Sequence, residues 1–213
     1  MDEIFEDRQD AGKRLAAELN KNKRDDVVIL ALPRGGIEIA QQVSKVLNAP
    51  FDCLFVRKLG SEFNPEVGIG AIVEGNPPQT FLNEDLVKVL KITPDFIEQE
   101  KKRQLEVMRE QEKKFRPNLK RLTLTGKSVI VVDDGVATGA TVKAALKGLK
   151  SEKPKKLILA VPVAPPSTVA ELKKDVDEVV CVLTPTDFQA VGQFYRRFPR
   201  LDDEKVIKLL GGS

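Results

Sequence analysis

The chain has 213 residues, of which 41% are hydrophobic and 31% are charged, so it can bury a sizeable core without disulfides or a structural metal. Lysine and arginine together number 35 against 32 acidic residues, and the net charge of +3 gives little reason to expect a polyanionic partner. The sequence has no histidine, which excludes histidine-ligated zinc, the Ser-His-Asp triad and a histidine general base.

The two cysteines, Cys53 and Cys181, are too far apart in the sequence to form a CxxC motif. Each lies in an apolar run, which favours a small buried core residue over a reactive thiol or a disulfide. The first residues lack the basic and then apolar pattern of a signal peptide, and no apolar run approaches the length of a membrane span. We therefore expect a cytoplasmic protein.

Apolar strands alternate with amphipathic helices along most of the chain. Helices are predicted at residues 7–22, 37–47, 141–150 and 167–174. Strands are predicted at residues 27–32, 51–56, 127–132, 156–161 and 178–183. Strands that are apolar throughout and separated by helices indicate a parallel sheet covered on both faces. The predicted fold class is α/β, doubly wound, with a mainly parallel sheet and helices on both faces.

Residues 57–120 break this alternation. Glycine and proline are frequent at residues 57–79. Two short strands are predicted in this part of the chain, at 69–73 and 79–82. Thr93-Pro94-Asp95 then begins a long charged helix that is predicted to end at Phe115. Its charges alternate in sign without interleaved aromatic residues, which favours a solvated or partner-facing helix over a nucleic-acid surface. We expect one domain over residues 1–213, with an insertion at about 57–120.

The most informative segment is VIVVDDGVATGAT, which runs from Val129 to Thr141. An apolar strand is followed by Asp133 and Asp134, then by a turn of small residues and the start of a helix. Ligands bind beyond the carboxyl ends of the strands in such sheets, and the free amides at a helix start suit a phosphate. The two carboxylates suit sugar hydroxyls or a nearby divalent cation, although such residues also cap turns. A ribose 5-phosphate group would satisfy both halves of the segment.

This segment resembles the phosphoribosyl pyrophosphate (PRPP) motif of the type I phosphoribosyltransferases. Three other segments resemble parts of the same family: 32–37 (LPRGGI) its pyrophosphate loop, 57–60 (RKLG) the start of its flexible catalytic loop, and 185–192 (PTDFQAVG) the base-stacking segment of its purine enzymes. The whole chain, including FEDRQDAG at 5–12 and GQFYRRF at 192–198, is similar to a subgroup of predicted phosphoribosyltransferases of unassigned substrate.

The resemblance implies a Mg²⁺-dependent transfer of the phosphoribosyl group from PRPP to a base-like or other small nucleophile, with release of pyrophosphate. It assigns catalysis to Arg34, Arg57 and Lys58, and pyrophosphate binding to Arg34, Gly35 and Gly36, with a non-proline cis peptide expected at Pro33 to Gly35. The ribose and its 5-phosphate would be bound by Asp133, Asp134, Gly135, Val136, Ala137, Thr138, Gly139, Ala140 and Thr141. Asp133 and Asp134 would also bind Mg²⁺ indirectly, through ribose oxygens or water. Arg57 and Lys58 have the simpler interpretation of charged residues at a strand end.

Ala137 limits the choice of acceptor. The 6-oxopurine enzymes of the family carry an acid at this position that shuttles a proton to the base, and alanine cannot do so. The general base is unassigned. Glu62, Glu66 and Glu74 are candidates on the loop, and each is also typical of a solvated loop residue.

An aromatic cluster near the end of the chain supplies the candidate for stacking on a planar acceptor, Phe188. Its neighbours Phe194, Tyr195 and Phe198 are rivals for this role. We expect core packing for at least two of the four.

Two other functions stay open. The first is a non-catalytic sensor of PRPP or a nucleotide on the same fold; Arg34, Arg57 and Lys58 favour catalysis, because a sensor of the 5-phosphate needs none of them. The second is phosphorolysis or hydrolysis of a related ribose substrate. The expected partners are PRPP, pyrophosphate and a small acceptor, with a homodimer as a further candidate. Neither a membrane nor a nucleic acid is expected.

Overall fold

The computed structural model describes residues 4–22, 25–116 and 120–211. Within these ranges the strands are β1 Val27–Ala31, β2 Phe51–Cys53, β3 Val56–Gly60, β4 Gly68–Val73, β5 Gln79–Leu82, β6 Ser128–Val132, β7 Lys156–Val163 and β8 Glu178–Leu183. The helices are α1 Arg8–Asn20, α2 Gly35–Leu47, α3 Glu84–Val89, α4 Pro94–Phe115, α5 Ala140–Lys150, α6 Pro166–Leu172 and α7 Asp203–Leu209. A short 3₁₀ turn covers Val191–Phe194.

Five strands form the central sheet in the order β2-β1-β6-β7-β8, and every pairing is parallel. Alternate residues of β1, β6 and β7 enter different cores: Ile29, Ile130 and Ile158 pack on the side of α1 and α2, whereas Leu30, Val131 and Leu159 pack on the side of α5 and α6. Two buried faces explain why these strands are apolar throughout. The predicted fold class is confirmed.

The strand predicted at 51–56 is divided in the structure. β2 ends at Cys53, Leu54 donates its amide to the Ala31 carbonyl, and the chain then leaves the central sheet. Residues 57–60, predicted as the start of a flexible loop, lie in strand β3 instead. They form strand because β3 pairs in antiparallel fashion with β4, which pairs in turn with β5, giving a second three-stranded sheet.

Helix α4 has the predicted boundaries, and the Thr93 hydroxyl caps it by accepting from the Phe96 amide. The helix is not solvated all round, since Ile97, Met108 and Phe115 are buried against the rest of the protein. Its remaining face is charged. None of the helices in the described ranges is long and apolar enough to span a membrane.

A buried ionic cluster fixes the end of α4. The Arg116 guanidinium donates to both carboxylate oxygens of Glu74, at 2.6 and 2.9 Å, and to Asp52 at 2.9 Å. Arg121 approaches Glu74 as well, at 3.3 Å. Glu74, a candidate loop base in the sequence, is therefore buried in an ion pair and is excluded from that role. It is interior because it follows the buried end of β4, where its amide donates to the Phe55 carbonyl at 2.9 Å.

Candidate active site

The loops after β1, β6 and β8 meet at one edge of the central sheet, because the carboxyl ends of parallel strands point the same way. The loop after β1 holds Pro33 to Gly36, and the loop after β6 holds Asp133 to Gly139. The main chain joins them directly, since the Leu32 amide donates to the Val132 carbonyl at 2.9 Å. Two segments distant in the sequence thus form one surface.

The turn after β6 exposes the atoms that suit a phosphate. Ala137, Thr138 and Thr141 are exposed, and helix α5 begins at Ala140 with Gly139 as its N-cap. Gly139 has a φ of 76°, a left-handed conformation that glycine adopts without strain. The first amides of a helix have no partner within the helix and carry its positive dipole end. The turn therefore presents amides and hydroxyls to one small region of solvent.

Asp133 and Asp134 lie at the base of this turn. Asp133 Oδ1 accepts from the Asp134 amide at 2.8 Å. Burial and the neighbouring charge of Asp134 raise the pKa of Asp133, and burial raises the pKa of Asp134 although Arg8 opposes that shift. Two carboxylates held close together in a half-buried position suit hydroxyl donors or a cation.

The side chain of Arg8 binds the Asp134 carboxylate. Its Nε donates to Asp134 Oδ2 at 2.8 Å and its Nη1 donates to the Pro199 carbonyl at 2.7 Å. The guanidinium lies 3.8 Å from the centroid of the Phe198 ring. The Tyr195 hydroxyl donates to the Asp134 carbonyl oxygen, so both ends of the chain contact this residue.

The loop at residues 32–37, which resembles the family's pyrophosphate loop, contains a cis peptide between Pro33 and Arg34, as the resemblance implied. Helix α2 begins at Gly35, two residues earlier than predicted. The Gly36 amide donates to the Leu32 carbonyl at 3.1 Å, so it is already engaged. A Cβ on Gly36 would lie 2.6 Å from the Val132 carbonyl oxygen, so close packing against β6 requires glycine there.

The Arg34 side chain reaches towards the C-terminal helix. Its Nη2 lies 2.6 Å from Asp203 Oδ1, and its Nη1 donates to the Leu201 carbonyl at 3.3 Å. Lys114 of α4 pairs with the other Asp203 oxygen at 2.6 Å. The Asp203 carboxylate thus pairs with both Arg34 and Lys114 beside the loop at residues 32–37.

The structure brings Arg57 to the predicted site but not Lys58. Arg34, Arg57 and Thr141 line one cavity of about 140 Å³, together with Pro33, Leu32, Leu54, Phe55, Val56, Gln111 and Phe115. Arg57 Nε donates to the Gln104 side chain at 2.9 Å, and burial lowers its pKa. Lys58 instead pairs with Glu66 at 3.3 Å on an exposed part of β3. Glu62 and Glu66 are exposed, as expected.

The segment after β8 borders a second cavity of about 600 Å³, lined by Ile4, Leu183, Thr184, Pro185, Thr186, Asp187, Gln193 and Phe194. Phe188 is half-buried, and its ring lies 5.0 Å from that of Phe194. Phe194 and Tyr195 are buried, which confirms that at least two of the four aromatic residues pack in the core. Phe198 stays exposed, and its ring lies 4.8 Å from that of Tyr195 at an interplanar angle of 34°.

Arg8, Lys114 and Asp203 are site residues that the sequence did not predict, and Tyr195, a candidate for stacking on the acceptor, instead contacts Asp134. Arg8 lies in the 5–12 segment, which resembles the family without implying a role for any of its residues. Asp203 and Lys114 had no signal, because charged helices at the surface look alike in a sequence.

The phosphoribosyl transferase domain model matches residues 1–198 of the chain. The chain belongs to the phosphoribosyl transferase family. Helix α7, which carries Asp203, follows the residues that the family model matches.

Two Mycobacterium tuberculosis proteins, Rv0571c of strain H37Rv and MT0597 of strain CDC 1551, have names that assign them provisionally to the phosphoribosyl transferases. Each is 42% identical to this chain over 207 residues, which are 97% of the chain and 46% of the relative. The chain therefore spans less than half of the length of these curated relatives.

Among solved structures, the protein TT1426 from Thermus thermophilus is similar with a TM-score of 0.85 and 38% identity, over 97% of both chains. AQ2163 from Aquifex aeolicus is similar in fold alone, with a TM-score of 0.50 and 15% identity over 82% of this chain and 73% of that one.

Proposed function

We propose that this phosphoribosyl transferase binds PRPP with Mg²⁺ and transfers its 5-phosphoribosyl group to a base-like or other small nucleophile, releasing pyrophosphate. The observation that carries the proposal is the contact between the loop holding Gly35 and the turn holding Asp134 at the carboxyl edge of the sheet. A phosphate site, a pair of sugar-binding acids and a second anion loop are adjacent there, in the order that the three parts of PRPP require.

The 5-phosphate binds at the turn of Gly135 to Thr141, where the hydroxyls of the exposed Thr138 and Thr141 and the first amides of α5 donate to it. Asp133 and Asp134 accept from the 2′- and 3′-hydroxyls of the ribose. Hydroxyl donors suit these oxygens, because a half-buried carboxylate gains from each charge-assisted hydrogen bond.

The leaving pyrophosphate binds at the loop of Arg34 to Gly36. Gly35 contributes its amide and Arg34 its guanidinium, whereas Gly36 contributes by letting the loop pack against β6. The bond between the anomeric carbon and pyrophosphate breaks with its electron pair leaving on pyrophosphate, and the acceptor forms the new bond to that carbon. Arg57 already faces this region, and we expect Lys58 to join it only if the tip between β3 and β4 closes.

The acid pair fits Mg²⁺, because this ion is usually bound by one or two carboxylates together with substrate phosphates and water. The described residues contain no cluster of three or more acids or thiols that would hold a metal alone, so the substrate would complete its coordination. When bound, Mg²⁺ supplies positive charge that neutralises the leaving pyrophosphate. Asp133 and Asp134 would hold it through ribose oxygens or water.

The acceptor lies beyond β8, where the cavity of about 600 Å³ is large enough for a planar base. Phe188 packs against Phe194, which lines this cavity, and is our candidate for stacking on the acceptor. Ala137 offers no proton shuttle, which disfavours the 6-oxopurines.

A pyrophosphate-release screen tests the proposal. The full chain is incubated with PRPP and Mg²⁺ and a panel of purines, pyrimidines and small amines, and the expected result is acceptor-dependent release that Arg57→Ala abolishes. Tight PRPP binding without release from any acceptor would favour a sensor. Absence of both binding and release would reject the proposal.

A further inference from the structure

Arg8 is a buried charge with three partners, all of which belong to the site or to the C-terminal segment. Only 5% of its surface is exposed. Its Nε is committed to Asp134 Oδ2, its Nη1 to the Pro199 carbonyl, and its face to the Phe198 ring. Such a guanidinium is held in one orientation, and it in turn holds whatever it binds.

Of the three groups that Arg8 contacts, only Asp134 belongs to the proposed sugar site. Its Oδ2 is taken by Arg8, while no described protein group donates to its Oδ1. The two oxygens of one carboxylate are thereby made different: one is anchored to the protein and the other is available to a ligand. Without Arg8, no described side chain would anchor Oδ2, and the carboxylate could rotate about its side-chain bonds.

The anchoring also comes from two distant parts of the chain. Arg8 is the first residue of α1, and the Asp7 side chain caps that helix by accepting from the Gln9 and Asp10 amides. The main chain of this segment is bonded to the C-terminal segment, with the Phe5 amide donating to the Phe194 carbonyl at 2.8 Å. A rigid support of this kind suits a residue whose task is orientation.

We propose that Arg8 is a positioning residue of the sugar site, which sets the Asp134 carboxylate so that its Oδ1 accepts from a ribose hydroxyl. The inference rests on the proposed function, since it assumes that Asp134 binds ribose. It makes a prediction that a purely structural role does not: Arg8 should matter for ligands that contain the sugar and not for pyrophosphate alone.

Calorimetric titrations of the full chain test this selectivity. Wild type and the Arg8→Gln variant are titrated with ribose 5-phosphate, with PRPP and Mg²⁺, and with pyrophosphate and Mg²⁺. We expect Arg8→Gln to weaken both sugar ligands by about tenfold or more, as the loss of one charge-assisted hydrogen bond implies, and to leave pyrophosphate affinity unchanged. Arg8→Lys should recover part of the loss, because an ammonium restores the charge but not the planar stack and fork.

Arg14→Gln is the matched control. Arg14 lies on the same helix, pairs with Asp10 at 3.0 Å and lies 5.2 Å from the centroid of the Phe5 ring, so the variant removes the same charge and a looser ring contact away from the site. All three affinities should stay at the wild-type level. Should Arg8→Gln fail to fold, Arg8→Lys provides the same comparison between sugar ligands and pyrophosphate.

Equal weakening of all three ligands, or unchanged affinity for the sugar ligands, would overturn the role of Arg8 and leave the proposed function standing. A wild-type chain that binds neither PRPP nor pyrophosphate would reject both.

Discussion

Gly35 and Asp134 lie in direct contact, so that a Cβ atom added to Gly35 would be only 1.8 Å from Asp134 Oδ2. Gly35 starts helix α2 after strand β1, and Asp134 follows β6, the parallel neighbour of β1. The contact joins the loop at residues 32–37 and the pair Asp133 and Asp134 into one structural unit. It also explains why the loop needs glycine at this position, where any side chain would displace the carboxylate.

Substitution of Gly35 by alanine should therefore damage ligand binding. The added methyl group must push Asp134 away from Arg8 or shift the start of α2, and we expect PRPP affinity to fall by about tenfold or more. Calorimetry with PRPP and Mg²⁺ measures the loss. Gly68→Ala is the control, because its Cβ would meet only the flexible Lys58 side chain, at 3.3 Å. Equal affinities for the two variants would contradict the prediction.

Arg116→Met should strongly destabilise the fold. The variant leaves the Asp52 carboxylate buried without its cation and Glu74 with Arg121 alone, and breaking a buried ion pair in this way typically costs about 3–5 kcal/mol. Urea denaturation followed by circular dichroism gives the free energy of unfolding. Lys101→Met, which removes an exposed ion pair with Glu98 on the same helix, should change it by less than about 1 kcal/mol. A loss for Arg116→Met as small as this would show that the cluster is not a stabilising unit.

Asp203→Asn should tighten pyrophosphate binding. Asp203 pairs with Arg34, so a bound anion has to compete with its carboxylate for that guanidinium. Because the pair is partly exposed, the expected gain is only a few-fold, equivalent to less than about 1 kcal/mol. Titration with pyrophosphate and Mg²⁺ measures it, with Glu204→Gln on the exposed face of α7 as the control. Weaker binding by Asp203→Asn would mean that Asp203 orients Arg34 instead of competing for it.

The cysteine thiols should react slowly in the native protein. Burial raises the pKa of Cys53 to about 12 and that of Cys181 to about 11. At pH 8 a thiol with the latter pKa is ionised in roughly one molecule in a thousand, whereas an unperturbed thiol is ionised in about a quarter of molecules. Alkylation with iodoacetamide at pH 8 should therefore be far slower in the folded than in the unfolded chain. Equal rates would show that these thiols are accessible and unperturbed.

The sequence was sufficient to predict the parallel sheet and the Asp133–Thr141 turn, because buried strands and glycine-containing turns before a helix leave local patterns. It was insufficient for β3, since residues 57–60 become a strand only by pairing with β4. Glu74 was misassigned for a related reason: its burial depends on Arg116, which lies 42 residues away. The anchoring of Asp134 by Arg8 joins residues 126 positions apart, and no local pattern encodes such a contact.

We propose that the turn after β6 binds the phosphorylated pentose of PRPP. The most direct measurement is calorimetric titration of the wild type and of the Asp133→Asn, Asp134→Asn double variant with PRPP and Mg²⁺, after circular dichroism has shown that both are folded. We predict saturable binding by the wild type and no detectable binding by the folded double variant. Equal affinity of the two proteins for PRPP would contradict the claim.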